Sequence, residues 1–151
     1  MGYNPRCLRR DINPYVSSRW NRDIDAVNLI LQNPDIAAFQ SRMQGDFPAG
    51  FAGVHTGGHF TIGGDPGGDL FASPGDPAFY LHHANIDRTW WTWQNMDIAK
   101  RTLALAGNTT LGGDRPTRLE DNMDIGVNAG EIKIKDAMNT IGGAPFCYIY
   151  V

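Results

Sequence analysis

The apolar positions divide the chain into short helical stretches separated by turns rich in glycine and proline. Between Asp23 and Gln32, Ile24, Val27, Ile30 and Leu31 recur at helical spacing and predict a helix with one apolar side. It stops at Asn33-Pro34, because proline lacks the N–H that would continue the ladder. Asn33 is placed to cap a second helix with Pro34 in its first turn, burying Ile36, Phe39 and Met43 and ending at Gly45. From Gly45 to Asp76 there are ten glycines in 32 residues, which disfavours long elements and predicts tight turns or close backbone approach. Asp65-Pro66-Gly67-Gly68-Asp69 lacks the spacing and the lysine of a phosphate loop and reads as a loop at a pocket rim.

Asp76-Pro77 opens the strongest helical stretch, with Asp as cap and Pro in the first position, running to about Gln94. At about 100° per residue, one face carries Phe79, Tyr80, His83, Ile86, Asp87, Trp90 and Gln94, and Trp90, Trp91 and Trp93 predict deep packing. Residues 1–22 read as irregular, with turns at Asn4-Pro5 and Asn13-Pro14. After Lys100 the pattern weakens. Ile132 and Ile134 alternate with lysines as a short strand, Asp136 to Thr140 makes one helical turn, and Phe146 to Val151 is β-prone. The predicted class is mainly α, with short β segments near the C-terminus.

Composition narrows the function more than the fold. The 151 residues suit one domain, and a formal charge of −3 leaves no basic footprint for nucleic acid or an anionic membrane. No apolar run approaches the roughly 20 residues that span a bilayer. Met1 to Arg10 has arginines but no apolar core of a signal peptide. Cys7 and Cys147 can pair with each other, pair elsewhere or stay reduced, and two cysteines do not fix a compartment. The sequon Asn108-Thr109-Thr110 is weak support for secretion, which is expected only where the full-length protein carries a signal peptide.

The candidate chemistry is concentrated in one stretch. All four histidines lie between His55 and His83, as the i, i+4 pair His55 and His59 and the adjacent pair His82 and His83. Histidines four apart on a helix project from one face and can reach one ion. Gly57-Gly58 between them costs helix propensity, and such small residues let another helix or a ligand approach closely. Adjacent helical residues point about 100° apart, so one of His82 and His83 supplies the third ligand. Geometry leans only slightly to His83, which shares a face with Asp87; that carboxylate can orient the imidazole or anchor the helix. Thr56 stands where a zinc protease needs Glu, and neither cysteine has a partner nearby for a zinc–thiolate site. Three imidazoles suit copper, zinc or iron, and a two-histidine, one-carboxylate iron site using Asp69 or Asp87 is a further option.

His55-x3-His59, Asp76-Pro77-x-Phe79 and His82-His83-x3-Asp87-Arg88 followed by Trp90 together resemble the second copper site of the tyrosinase family, which includes catechol oxidases and molluscan haemocyanins. The likeness is dense from about Val54 to Gln94. Asn4-Pro5-Arg6-Cys7 and Pro145-Phe146-Cys147-Tyr148 add a weaker likeness to fungal members. The resemblance implies a helical-bundle core, copper held by His55, His59 and His83, and His82 as a neighbour of the site. It also implies an oxidoreductase that takes two electrons from an o-diphenol to give an o-quinone, with O2 as oxidant; some members also hydroxylate monophenols. Many of those hydroxylases carry Asn directly after the first ligand, so Thr56 leans the expectation towards diphenols. Phe60, next to His59, is a candidate for the substrate entrance.

The same resemblance exposes a deficit. The complete family site holds two coppers on six histidines, and this chain has four, all in the second half-site. The expectation is that residues 1–151 form the C-terminal portion of one copper-binding domain, supply one ion site and are inactive alone. The first copper half-site, and any signal peptide, would lie on a missing N-terminal part. Two other readings share the ligand set: an O2-carrying or non-catalytic metal-binding domain of the same fold, and a self-sufficient mononuclear metal enzyme.

Overall fold

The computed structural model describes residues 5–46, 48–142 and 145–151. Among the described residues seven α-helices follow in order: α1 Pro14–Trp20, α2 Asp23–Gln32, α3 Ile36–Gln44, α4 Gly53–Ile62, α5 Ala78–Asn95, α6 Ile98–Arg101 and α7 Ile134–Ala137. Strands β1 (Asn122–Met123) and β2 (Ile132–Lys133) pair antiparallel, Asn122 opposite Lys133 and Met123 opposite Ile132. The fold is mainly α, as the pattern predicts. No helix among the described residues is long and apolar enough to cross a membrane. Contacts separate two compact units, residues 1–34 with 38–90, and residues 35–37 with 91–151.

The first unit is built around α4. A strap of residues 9–13 runs antiparallel to residues 61–65, with Arg9 and Asp65 exchanging backbone bonds of 2.7 and 2.8 Å and Asn13 N donating to the Thr61 carbonyl at 2.8 Å. The strap leads into α1, where the sequence predicts irregular chain. Asn13 caps this helix, its Oδ1 accepting from Val16 N at 3.1 Å, and Pro14 occupies the first turn. The dipeptide taken as a turn is therefore a helix start, the same device that opens α5 at Asp76-Pro77. Leu29, Phe39, Met43 and Ala52 form the buried apolar centre of this unit.

Helix α2 has the predicted limits but not the predicted buried side. Leu29 is 3% exposed, whereas Ile24, Val27 and Leu31 are 50%, 44% and 62% exposed. These three lie within about 60° of one another on the helix surface, roughly opposite Leu29. Periodicity finds the apolar stripe; here the stripe faces outward. Helix α3 starts at Ile36, two residues beyond the predicted first turn, and Asn33 donates to the Leu29 carbonyl at 2.9 Å, closing the end of α2.

In the second unit, Trp93 is fully buried, and Ile36 and Met138 are buried too. The Arg101 guanidinium sits 4.5 Å over the Trp93 ring and donates to the Trp93 carbonyl at 2.9 Å. Gln94 donates from Nε2 to the carbonyls of Thr102 (3.1 Å) and Met138 (3.2 Å), fixing the chain after α6 and α7. The expected helical turn at Asp136–Thr140 is α7, displaced two residues earlier. Residues 146–151 form no ladder: β-prone side chains there make ring contacts instead, Tyr150 with Trp91 at 5.7 Å and with Tyr148 at 5.6 Å. Asn4, which the sequence reading places in a turn, lies outside the described residues.

Candidate metal centre

Helices α4 and α5 bring all four histidines together, with every pair of imidazole centroids 5.0–5.6 Å apart. The glycines between His55 and His59 make this approach possible. A Cβ on Gly58 would run into the His82 ring, and one on Gly57 would come within 2.9 Å of Asn21 Oδ1 and 3.0 Å of Trp20 Cβ. Helix α4 is thus gripped from one side by the end of α1 and from the other by α5. Asn21 strengthens the grip, donating to the Val54 carbonyl at 2.9 Å and accepting from Thr61 Oγ1 at 3.0 Å.

The adjacent histidines on α5 take different directions. The buried line of α5 passes through His82, Thr89 and Trp93, not along the face holding Tyr80, which is 62% exposed. His82 follows that line onto the α4 backbone, where Nε2 donates to the His55 carbonyl at 2.8 Å. His83 points about 100° away and places its Nε2 3.1 Å from His59 Nε2, within hydrogen-bond distance. Its ring stacks on Phe79 at 4.0 Å and 24°, one turn earlier on α5. Asp87 is half-buried one turn after His83.

Among the described residues, one group of metal-donor atoms converges: His55, His59 and His82 each offer a nitrogen within 4.8 Å of the others. No carboxylate joins them, and Asp69 spends its Oδ1 on the backbone N–H groups of Phe71 and Ala72, at 2.7 Å each. Burial holds the pKa of His55 down to about 4, helped by the positive charge that His59, His83 and His82 would carry. Burial likewise brings His82 to about 4, against the opposing bond to the His55 carbonyl. His83 is lowered by burial and then by His59. These imidazoles are neutral at pH 7 and carry lone pairs, the form in which they ligate a metal. The donor set fits a borderline or soft divalent ion such as copper.

Beside the histidines lies a cavity of about 320 Å³, walled by His55, Thr56, His59, Phe60 and Leu70. Gly68 and Asp69, from the loop read as a pocket rim, also line it, and Leu70 follows them directly. Phe60 lines this cavity and is 43% exposed, so it is not a core residue. The family model for the common central domain of tyrosinase matches residues 1–96. The chain belongs to the tyrosinase family.

Its fungal relatives include Tyrosinase P of Aspergillus terreus, 38% identical over 152 residues that cover 98% of this chain and 42% of that protein. N-acetyl-6-hydroxytryptophan oxidase ivoB of Emericella nidulans is 34% identical over 159 residues, covering 98% and 43%. A solved structure of a polyphenol oxidase variant from Thermothelomyces thermophila matches with a TM-score of 0.90 at 38% identity, over 99% of this chain and 43% of that one. This tyrosinase-like chain therefore spans about two-fifths of the length of those three proteins. Those relatives are named as a tyrosinase and oxidases, and copper is the metal the family implies.

Phe79, which the sequence places on one face with His83, stacks on that ring. Two contributors to the centre escape sequence reasoning. Gln44 and Asn21 reach α4 from other elements, and nothing local in the sequence announces them.

Proposed function

We propose that His55, His59 and His83 hold one copper ion, and that this chain supplies the second copper half-site of an oxidase that converts o-diphenols to o-quinones with O2. The observation that carries the reading is the convergence of His59 Nε2 and His83 Nε2 at 3.1 Å, beside His55 and at the edge of an apolar-walled cavity. His82 is left out of the proposed ligand set, although it offers a nitrogen beside those of His55 and His59, because its Nε2 proton is given to the His55 carbonyl and its ring is wedged against Gly58. It serves as the strut that fixes the spacing of α4 and α5.

Copper, when bound, supplies the redox capacity for the reaction, in which two catechols each lose two electrons and two protons and O2 leaves as two waters. The chain's own residues bind and orient. The cavity beside His55 and His59 admits a planar phenolic ring, with Phe60 and Leu70 as apolar walls. The Thr56 hydroxyl donates to the Gln44 carbonyl at 2.7 Å, so its proton is not free to hold a water over the site. That supports diphenol oxidation over monophenol hydroxylation. The first copper half-site is supplied by a further part of the full-length protein, and the chain by itself is inactive.

The test is copper stoichiometry of the purified chain, with His59→Ala as control, followed by catechol oxidation with and without the remainder of the full-length protein. One copper lost in the variant, with turnover only in the full-length protein, supports the proposal. Turnover by the isolated chain would favour a mononuclear enzyme, and reversible O2 binding without quinone would favour a carrier.

A further inference from the structure

The last residue of α3 touches the centre twice. Gln44 Oε1 lies 2.6 Å from His55 Nδ1, and the Gln44 main-chain carbonyl accepts the Thr56 hydroxyl at 2.7 Å. A side-chain amide oxygen accepts, so this contact favours the His55 tautomer with its proton on Nδ1 and the lone pair on Nε2. The Gln44 carbonyl is one of the helix-end acceptors without an intrahelical donor, and Thr56 satisfies it.

The position of Gln44 is fixed by backbone packing. Gly45 takes φ +99°, and a Cβ there would meet the Ala52 carbonyl; Gly53 takes φ +65°, and a Cβ there would meet the Met43 carbonyl. Asp46 and Phe51 close the connection with backbone bonds of 2.6 and 2.9 Å. The end of α3 is therefore seated on the first turn of α4, and its terminal side chain is held against His55.

We propose that Gln44 is the positioning residue of the centre, selecting the tautomer and ring orientation of His55 so that Nε2 faces the metal. Partners of this kind on the remote nitrogen of a ligating imidazole change metal affinity by about 10–100-fold. The inference rests on His55 being a ligand, as proposed above.

Nitrogen-15 NMR of the metal-free chain reads the tautomer directly. Wild type is expected to show His55 protonated at Nδ1, and Gln44→Leu a mixture with the Nε2-protonated form. Copper affinity should fall about tenfold or more in Gln44→Leu and return in Gln44→Glu, which keeps an acceptor. Gln44→Glu should also shift the copper hyperfine coupling in the electron paramagnetic resonance spectrum, because a carboxylate makes the imidazole a stronger donor. An Nε2-protonated His55 in wild type overturns the proposal without any variant. So does an affinity within twofold of wild type in Gln44→Leu. His55→Ala separates the two readings: unchanged copper binding there refutes His55 as a ligand, whereas lost binding there with an unaffected Gln44→Leu refutes only the role of Gln44.

Discussion

At the scale of single residues, the centre depends on what is small as much as on what coordinates. Gly58 gives His82 the space to lie against α4, so Gly58→Ala should displace that ring although alanine favours the helix by about 1 kcal/mol. A net loss of about 1–3 kcal/mol is expected from the forced repacking, with weakened copper binding, measured by urea unfolding and copper titration. Gly57→Ala meets Asn21 Oδ1 at 2.9 Å and Trp20 Cβ at 3.0 Å, looser contacts than that of Gly58 with the His82 ring, and should cost less and keep the metal. A Gly58→Ala variant as stable as wild type would remove His82 from its role as strut. The histidines also set a pH window. His55 and His82 have folded pKa values near 4 against 6.5 in an open chain. Between those values the unfolded chain binds protons that the folded one refuses, so stability of the metal-free protein is full above 6.5 and falls as pH falls towards 4. Urea midpoints measured across that range should decline, and His82→Gln should flatten the decline. A flat wild-type profile contradicts the burial of these imidazoles.

At the scale of elements, the readable helices were those whose start signal stood beside an apolar run. Asp76-Pro77 precedes one and was legible; Asn13-Pro14 precedes the short polar stretch of α1 and was not, although both dipeptides cap a helix in the same way. The histidine pair was legible from spacing alone, but the supports of α4 were not, because Asn21, Gln44 and the residue 9–13 strap act across sequence separations that periodicity does not report. The strap also anchors α5. Arg10 makes a two-point bond to Asp76, 2.8 Å from NH2 to Oδ1 and 3.0 Å from Nε to Oδ2. Asp76 Oδ1 in turn accepts from Ala78 N at 2.8 Å. Those bonds, that to Arg10 first, hold the carboxyl below its usual pKa. Arg10→Ala leaves a carboxylate that is 1% exposed without its cation, and the thermal midpoint should drop clearly at pH 7. The loss should shrink at pH values low enough to protonate Asp76, because the lost stabilisation belongs to its charged form. A pH-independent loss would assign Arg10 a packing role instead.

At the scale of the molecule, the same sequence pattern that located the helices misjudged which faces they bury. A stripe of apolar residues reports amphipathicity, and it says nothing of whether the covering partner belongs to the same stretch of chain. On α2 the stripe of Ile24, Val27 and Leu31 is open, and on α5 Tyr80 and Leu81 are 62% and 77% exposed. The chain matches about two-fifths of the length of its relatives, and under the proposal above the remainder of the full-length protein covers such faces. Adjacent exposed apolar side chains favour association, at about 25 cal/mol for each Å² removed from water. The isolated chain should therefore self-associate with rising concentration, read by light scattering on a sizing column. Replacing Ile24, Val27 and Leu31 together by lysine should shift it towards monomer while leaving the histidine cluster and its copper stoichiometry intact, since none of the three bonds to α4 or α5 in the centre. A wild-type chain that stays monomeric and monodisperse at high concentration would show that these faces need no cover.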